Sequence, residues 1–139
     1  MGRIIAIDYG LKRTGLAVTD PFKIIATGLT TVQTPTLIPF LKKYFQDEVV
    51  ELILMGMPTN WDDSDTHATP LVRQAIVRLN KEFPHIPLKT ADERYTSRLA
   101  TQSMLDSGLK KKERRNKALV DEIAATILLQ EYLRSGGSL

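Results

Sequence analysis

Short apolar runs in the first third of the chain have the length and residue types of β-strands. Arg3–Asp8, Gly15–Thr19 and Ile24–Val32 are rich in Ile, Val, Leu and Thr, and turn residues such as Asp20-Pro21 separate them. Tight turns between consecutive strand-like runs are typical of antiparallel pairing. The pattern therefore predicts three antiparallel strands at the start of the fold.

The remaining two thirds of the chain alternate between helical and strand-like spacing. Thr34-Pro35 is typical of a helix start, with Thr34 as the N-cap and proline at the first helical position. Apolar residues then recur at helical spacing. The later predicted elements are a first helix through Phe45, a strand at Val49–Met55, a helix from Pro70, a strand at Ile86–Ala91, a helix capped by Thr96 or Ser97 that runs through Leu105, and a helix capped by Asn116 that runs to about Leu133.

This order of elements predicts an α/β fold. Each later strand follows a helix and should join the sheet as a parallel strand through a right-handed crossover. We therefore expect a mixed five-stranded sheet, three antiparallel strands followed by two parallel ones, with helices on both faces. The length of 139 residues is that of one domain, which we place at residues 1–139.

Composition excludes several classes of protein. The chain is 42% hydrophobic and 25% charged, as in ordinary globular proteins, and it contains no cysteine. A disulfide scaffold, a thiol nucleophile and a thiolate metal site are therefore excluded. No apolar run approaches the roughly 18 residues of a membrane span. The N-terminal residues lack the features of a signal peptide, so we expect a cytoplasmic protein without membrane contact.

Positive charge is concentrated in one short segment. The net charge is +3, and residues Lys110–Lys117 contain six cations and one anion. Such a cluster attracts polyanions, above all the phosphate backbone of nucleic acids. A solvated loop without a partner is the alternative interpretation of this segment.

Acidic residues follow two of the strands that should be neighbours in the sheet. Asp8 ends the first strand, and Asp92 and Glu93 follow the fifth. Asp121 lies in the first turns of the last helix, where it shares a stripe with apolar residues. Sites in open α/β sheets form beyond the carboxyl ends of the parallel strands. The sequence therefore predicts that Asp8, Asp121 and one of the two acids after the fifth strand converge.

A convergence of carboxylates predicts a divalent metal site. Clustered carboxylates repel one another unless cations lie between them, and their hard oxygen atoms suit Mg²⁺ or Mn²⁺. Such ions catalyse phosphodiester hydrolysis without a nucleophilic side chain. Each acid also has a structural interpretation: Asp8 as a turn cap, Glu93 as a surface acid paired with Arg94, and Asp121 as a complement to the helix dipole.

Four blocks of the sequence resemble the YqgF family, also called RuvX. They span almost the whole chain, in order and with suitable spacing. The blocks are Ile7–Asp20 (IDYGLKRTGLAVTD), Gly56–Asn60 (GMPTN), Asp92–Ser97 (DERYTS), and a closing segment with Lys117, Asp121 and Ile127–Leu133 (ILLQEYL).

The resemblance implies an RNase H-like fold, related to the Holliday junction resolvase RuvC. It also implies a hydrolase, a two-metal nuclease whose catalytic and metal-binding residues are Asp8, Glu93 and Asp121, although Asp92 remains an alternative to Glu93. The implied cofactor is Mg²⁺ or Mn²⁺. We expect nucleic acid to be bound by basic and polar residues around this site: Lys12, Arg13, Asn60, Arg94, Lys111, Lys112, Arg114, Arg115 and Lys117.

Three functions remain open at this point. The first is 5′-end processing of precursor 16S rRNA in ribosome biogenesis, by a nuclease that acts on structured RNA. The second is resolution of branched DNA in recombination and repair, which would require a two-fold dimer, whereas the chain is expected to be a monomer or a weak homodimer. The third is a non-catalytic RNA-binding assembly factor. An actin-like ATPase is excluded, because 139 residues cannot supply its two domains.

Overall fold

The computed structural model describes residues 2–57, 69–92 and 117–136. Within these ranges, no helix combines the length and the hydropathy needed to cross a membrane. The helix predicted at residues 96–105 lies outside them. The elements are β1 (Arg3–Tyr9), β2 (Arg13–Thr19), β3 (Ala26–Gln33), α1 (Leu37–Asp47), β4 (Val50–Met57), α2 (Thr69–Glu82), β5 (Leu88–Asp92) and α3 (Lys117–Arg134).

The five strands form one mixed sheet in the order β3-β2-β1-β4-β5. β2 pairs antiparallel with both β1 and β3. β4 pairs parallel with both β1 and β5. The predicted fold class is confirmed. Because β1, β4 and β5 are parallel neighbours, their carboxyl ends lie at the same edge of the sheet, where sites form in folds of this kind.

Helices cover both faces of the sheet. α1 and α2 pack on one face through a core that includes Ile5, Ile7 and Leu41. α3 packs on the other face, against Ala6 and Ala17 among others. The buried residues of α3 are Ala124, Ala125, Leu128, Leu129 and Tyr132. Each large apolar side chain buried in this way contributes about 1.5–3 kcal/mol, and this stripe fixes how α3 lies across β1, β2 and β3.

Two glycines allow α3 to approach the sheet closely. A β-carbon at Gly15 of β2 would lie 2.1 Å from the carbonyl oxygen of Asp121. A β-carbon at Gly28 of β3 would lie 2.4 Å from Oε1 of Glu122. Glycine within a strand often marks a close backbone approach, and here it brings the N-terminal half of α3 onto β2 and β3.

The third strand begins at Ala26, two residues later than the sequence predicts. The Asp20 carboxylate accepts hydrogen bonds from the backbone N–H groups of Phe22, Ile24 and Ile25, at 3.1, 2.8 and 2.7 Å. These bonds hold the preceding residues in a turn and leave the side chains of Ile24 and Ile25 exposed. The same bonds, above all the one from Ile25, lower the pKa of Asp20 from its usual value.

The prediction that Thr34 caps the first helix is wrong. Thr34–Thr36 form a short 3₁₀ turn, and α1 begins only at Leu37. The Thr34 hydroxyl instead donates to the carbonyl oxygen of Gly10 at 2.6 Å. Its oxygen also lies 2.9 Å from the hydroxyl of Thr14, which must therefore be the donor in that bond. Thr34 thus anchors the loop between β1 and β2 rather than a helix end.

Candidate active site

Asp8 lies near the carboxyl end of β1, on the side of the sheet that α3 covers. Ile4 and Ala6 of the same strand pack in the α3 core. Because side chains alternate along a strand, Asp8 belongs to the same side. The residue opposite Asp8 in the antiparallel pair is Gly15 of β2. Asp8 is only partly buried, so its carboxylate lies at the border between the core and solvent.

Asp121 lies in the second turn of α3 and continues the buried stripe of that helix. Ala125, Leu128 and Tyr132 follow it at helical spacing, and all three are buried. Asp121 comes after the first turn of α3, where the helix dipole acts most strongly, so complementing that dipole is not its main role. Its carbonyl oxygen contacts the position where a side chain of Gly15 would begin.

Gly15 therefore connects the two predicted acidic residues. It is the strand partner of Asp8, and it touches the backbone of Asp121. Directly opposite residues of an antiparallel pair have Cα atoms about 4.5–5.5 Å apart. Asp8 and Asp121, which are 113 positions apart in the chain, are thus brought to the same corner of the molecule.

Arg13, the first residue of β2, forms an ion pair with Asp121. Its Nε lies 3.2 Å from Oδ2 of Asp121, and the side chains of Arg13 and Asp121 are 37% and 26% exposed. A guanidinium N–H at this distance donates a charge-assisted hydrogen bond to the carboxylate. The pair is only partly shielded from water, which weakens its contribution to stability. It joins the start of β2 to the second turn of α3.

The loop between β1 and β2 forms a shallow groove beside this pair. The groove has a volume of about 380 Å³ and is lined by Gly10, Leu11, Lys12, Arg13 and Asp121. A second groove of about 510 Å³ is lined by Leu11, Lys12 and Arg13 of the same loop together with Gln33 and Pro35. Lys12 and Arg13 line both grooves, so two cations lie next to an acidic residue in a cleft open to solvent.

Several predicted site residues lie outside the described ranges. They are Asn60, Glu93, Arg94, Lys111, Lys112, Arg114 and Arg115. Asp92 is the last residue of β5, and its backbone pairs with Met57 of β4. Lys117 is the first residue of α3. Of the predicted catalytic residues, the structure therefore positions Asp8 and Asp121 and says nothing of Glu93.

The donor chemistry of the described residues fits a hard divalent cation. Asp8 and Asp121 supply carboxylate oxygens, the ligands that Mg²⁺ and Mn²⁺ prefer. Among residues 2–57, 69–92 and 117–136 there is no group of three or more potential ligands. Completion of a three-carboxylate site therefore depends on a residue beyond them.

Two residues of the site have roles that the sequence analysis did not assign. Gly15 provides the close approach of α3, and its position inside a strand-like run was a signal for this. Thr34 anchors the β1–β2 loop through Gly10 and Thr14. No local pattern distinguishes this anchor from the helix cap that Thr34-Pro35 predicts, because the contact joins segments 20 or more residues apart.

The fold is that of the RuvC resolvases. The chain matches the structure of Thermus thermophilus RuvC in complex with a Holliday junction substrate with a TM-score of 0.57, at 16% sequence identity, over 99% of this chain and 98% of that one. A second structure of Thermus thermophilus RuvC matches with a TM-score of 0.56, at 16% identity, over 97% of both chains. At this identity the similarity concerns the fold alone.

The family follows from the sequence comparisons. The model of the RuvX family, described as a Holliday junction resolvase, matches residues 2–135. A protein of Christiangramia forsetii is 56% identical over 133 residues, covering 96% of this chain and 98% of its own. A protein of Phocaeicola vulgatus is 54% identical over 135 residues, covering 97% of both. Both are named "Putative pre-16S rRNA nuclease".

The chain belongs to the RuvX family. The predicted resemblance is thereby confirmed over nearly the whole length of the chain, together with the RuvC-like fold that it implied. Membership also confirms the class of enzyme at the coarser level, a hydrolase of the nuclease type.

Proposed function

We propose that this protein is a divalent-metal-dependent nuclease that hydrolyses phosphodiester bonds in structured RNA, and that its reaction is 5′-end processing of precursor 16S rRNA in the cytoplasm. The names of relatives at 50–56% identity support the substrate. The observation that supports the chemistry is that Asp8 is the strand partner of Gly15 and that the backbone of Asp121 contacts the same glycine. This corner lies at the carboxyl ends of parallel strands, where α/β folds place their sites.

Asp8, Glu93 and Asp121 are the proposed ligands of Mg²⁺ or Mn²⁺. Ala91 of β5 packs in the α3 core, on the same side of the sheet as Asp8. Glu93 is proposed as the third ligand because the resemblance to the RuvX family implies it. Two ions of this kind, when bound, activate a water molecule and stabilise the leaving oxygen of a phosphodiester.

The cations around the β1–β2 loop are the proposed phosphate-binding residues nearest to the site. Lys12 and Arg13 line the grooves next to Asp121, where they can hold a backbone phosphate beside the carboxylates. A guanidinium group suits the geometry of a phosphate. Asn60, Arg94 and Lys117 are proposed to contribute further contacts, and the basic segment with Lys111, Lys112, Arg114 and Arg115 to bind more distant phosphates.

Resolution of branched DNA is the second candidate function. It is favoured by the description of the RuvX family and by the RuvC fold. The two functions share one active site and differ in substrate and assembly. A resolvase must cut two strands symmetrically, which requires a two-fold dimer, whereas a monomer suffices for trimming one RNA end.

The test is a cleavage assay with purified protein and either Mg²⁺ or Mn²⁺. The substrates are a precursor 16S rRNA 5′ leader and a four-way DNA junction, and each assay is run beside Asp8→Asn and a metal-free control. We expect metal-dependent cleavage of the RNA leader, loss of at least about 100-fold in rate with Asp8→Asn, and nearly unchanged RNA affinity in that variant.

The outcomes separate the three hypotheses. Preferential cleavage of the junction by a dimer would replace RNA processing with resolution. Tight RNA binding without cleavage, or cleavage that Asp8→Asn leaves intact, would contradict the proposed site. Tight RNA binding without cleavage would favour a non-catalytic assembly factor.

A further inference from the structure

Arg13 binds the same carboxylate that the proposed function assigns to a divalent cation. Its Nε lies 3.2 Å from Oδ2 of Asp121. The two residues are 108 positions apart, and the pair lies where the first and last parts of the fold meet. An arginine so placed either holds the carboxylate in position for the metal or competes with the metal for it.

Electrostatics favours competition between Arg13 and the divalent cation for the Asp121 carboxylate. A divalent cation coordinated by Asp121 would stand within a few ångströms of the guanidinium, and their like charges repel. Solvent screens this repulsion only in part, because the side chain of Asp121 is 26% exposed. A phosphate group between the two cations removes the conflict, since it attracts both.

The surroundings of Arg13 leave room for such a movement. Arg13 lines the groove that contains Asp121 and also the second groove, beside Gln33 and Pro35. The backbone of the loop is held independently of the ion pair, by the bonds from Thr34 to Gly10 and Lys12. The guanidinium can therefore leave Asp121 without disturbing the loop that carries it.

We propose that Arg13 is a displaceable counter-cation of Asp121. It neutralises the carboxylate in the metal-free protein, and it moves to a phosphate of the nucleic acid when a divalent ion takes its place. This proposal rests on the proposed function and adds a regulation to it. Binding of the metal and binding of nucleic acid support each other, because the phosphate draws Arg13 away from the metal's ligand.

Metal affinity of the free protein gives a test that does not depend on activity. Binding of Mn²⁺ is measured without nucleic acid, by electron paramagnetic resonance and by calorimetry, for the wild type, Arg13→Gln and Arg13→Lys. We expect Arg13→Gln to bind Mn²⁺ at least about tenfold more tightly, judged from the shifts that neighbouring charges impose on carboxylates. Arg13→Lys retains the charge, and its Mn²⁺ affinity should lie between those of the wild type and Arg13→Gln.

The sign of the effect distinguishes competition from positioning. If Arg13 only positions Asp121, then Arg13→Gln weakens Mn²⁺ binding or leaves it unchanged, and either result overturns the proposal. Arg13→Lys keeps the same comparison possible if the glutamine variant fails to fold. A thermal melt of each variant, recorded by circular dichroism, establishes that it is folded.

Two control variants separate the specific effect from general loss of charge. Arg3→Gln removes a matched ion pair, because Nε of Arg3 lies 3.2 Å from Oε2 of Glu48 at the other end of β1. We expect its Mn²⁺ affinity to equal that of the wild type. Lys12→Gln removes one charge from the same loop and should have a smaller effect than Arg13→Gln. An equal effect of Lys12→Gln would overturn the specific role of Arg13.

Asp121→Asn distinguishes failure of this proposal from failure of the proposed function. If the wild type shows no Mn²⁺ binding that Asp121→Asn reduces, the metal site itself is wrong and both proposals fall. If such binding is present but Arg13→Gln does not strengthen it, the nuclease site stands and only the displaceable counter-cation is overturned.

Discussion

Gly15 and Asp121 are in direct contact across the sheet–helix interface. A β-carbon at position 15 would lie 2.1 Å from the carbonyl oxygen of Asp121. The contact is made by backbone on both sides, so neither residue can rotate away from it. Gly15 is also the strand partner of Asp8. The absence of a side chain at this one position therefore allows the backbone of Asp121 to approach β2 next to the strand partner of Asp8.

We expect Gly15→Ala to destabilise the fold and the site together. The new methyl group must push α3 away from β2, and such overpacking costs about 1–3 kcal/mol. Urea denaturation measures the change in the free energy of unfolding, and the cleavage assay should show a parallel loss of activity.

Gly28→Ala is the matched control for Gly15→Ala. A β-carbon at Gly28 would meet the side chain of Glu122, 2.4 Å from Oε1, rather than backbone. That side chain can rotate, so the variant should remain within about 1 kcal/mol of the wild type. Equal destabilisation by the two substitutions would contradict the special role of Gly15.

Because Thr34 anchors the β1–β2 loop, Thr34→Val should destabilise the protein more than Thr36→Val does. Thr34→Val leaves the carbonyl of Gly10 and the buried hydroxyl of Thr14 without this partner. We expect a loss of about 1–3 kcal/mol in the free energy of unfolding. Thr36→Val removes a single exposed bond to the Gln33 carbonyl and should cost less.

Hydrogen exchange gives a local measure of the same anchor. In Thr34→Val the amides of the β1–β2 loop should exchange faster than in the wild type, while those of α1 remain protected. Faster exchange throughout α1 would instead indicate that Thr34 supports the helix, as the sequence alone predicts.

Asp20 predicts a pH-dependent contribution to stability. Hydrogen bonds from the backbone, above all from Ile25, lower its pKa from the usual value of 3.8. The ionised carboxylate is therefore favoured in the folded state, and its contribution is complete above about pH 3.8. It is lost as the pH falls through the lower, folded-state value.

We therefore expect Asp20→Ala to have a lower Tm than the wild type at pH 7. The difference should shrink as the pH falls below about 3.8. Asp20→Asn keeps an acceptor oxygen but no titrating charge, and its Tm at pH 7 should lie between the two. A Tm difference between wild type and Asp20→Ala that is constant from pH 7 to pH 2.5 would contradict this account.

The basic segment predicts a change in the salt dependence of RNA binding. Each phosphate contact contributes about 0.7–0.9 to the slope of log affinity against log salt concentration. Replacement of Lys111, Lys112, Arg114 and Arg115 by glutamine should flatten that slope accordingly. The measurement is fluorescence anisotropy of a labelled leader RNA between 50 and 300 mM salt, roughly the range over which such slopes are resolved.

A second set of charge removals controls for net charge alone. Lys42, Lys43, Arg78 and Lys81 are exposed cations of α1 and α2, on the opposite face of the sheet from α3. Their combined replacement by glutamine should leave the slope nearly unchanged. An equal effect of both sets would assign the salt dependence to net charge and not to the basic segment.

Much of the fold was predictable because the signals are local. β-branched runs and helical spacing identified all the described strands and helices, with boundaries displaced by no more than three residues. The displacements at the starts of β3 and α1 have one physical origin. Polar side chains, Asp20 and Thr34, bind backbone groups or hydroxyls outside the element that the pattern assigns to them.

The acidic residues of the site were also identifiable from the sequence, through strand ends and the family motifs. Asp8 and Asp121 could be named because their positions follow from the alternation of a strand and the stripe of a helix. The residues that contact Asp121 could not be named from the sequence. A glycine inside a strand, such as Gly15, indicates a close backbone approach. No local signal identifies Asp121 as the residue that approaches Gly15 or that pairs with Arg13, since each contact joins residues more than 100 positions apart.

The order of apolar and polar residues was thus sufficient to predict the α/β class and the mixed pairing of the strands, and the sequence motifs predicted the family and the candidate acids. Folding added the contacts that surround those acids. α3 lies close to β2 because glycines leave space for it, and only this packing brings Arg13 to Asp121. Local spacing determines which face of a helix or strand is apolar. Contacts between distant segments depend on how those faces pack against one another in the folded protein.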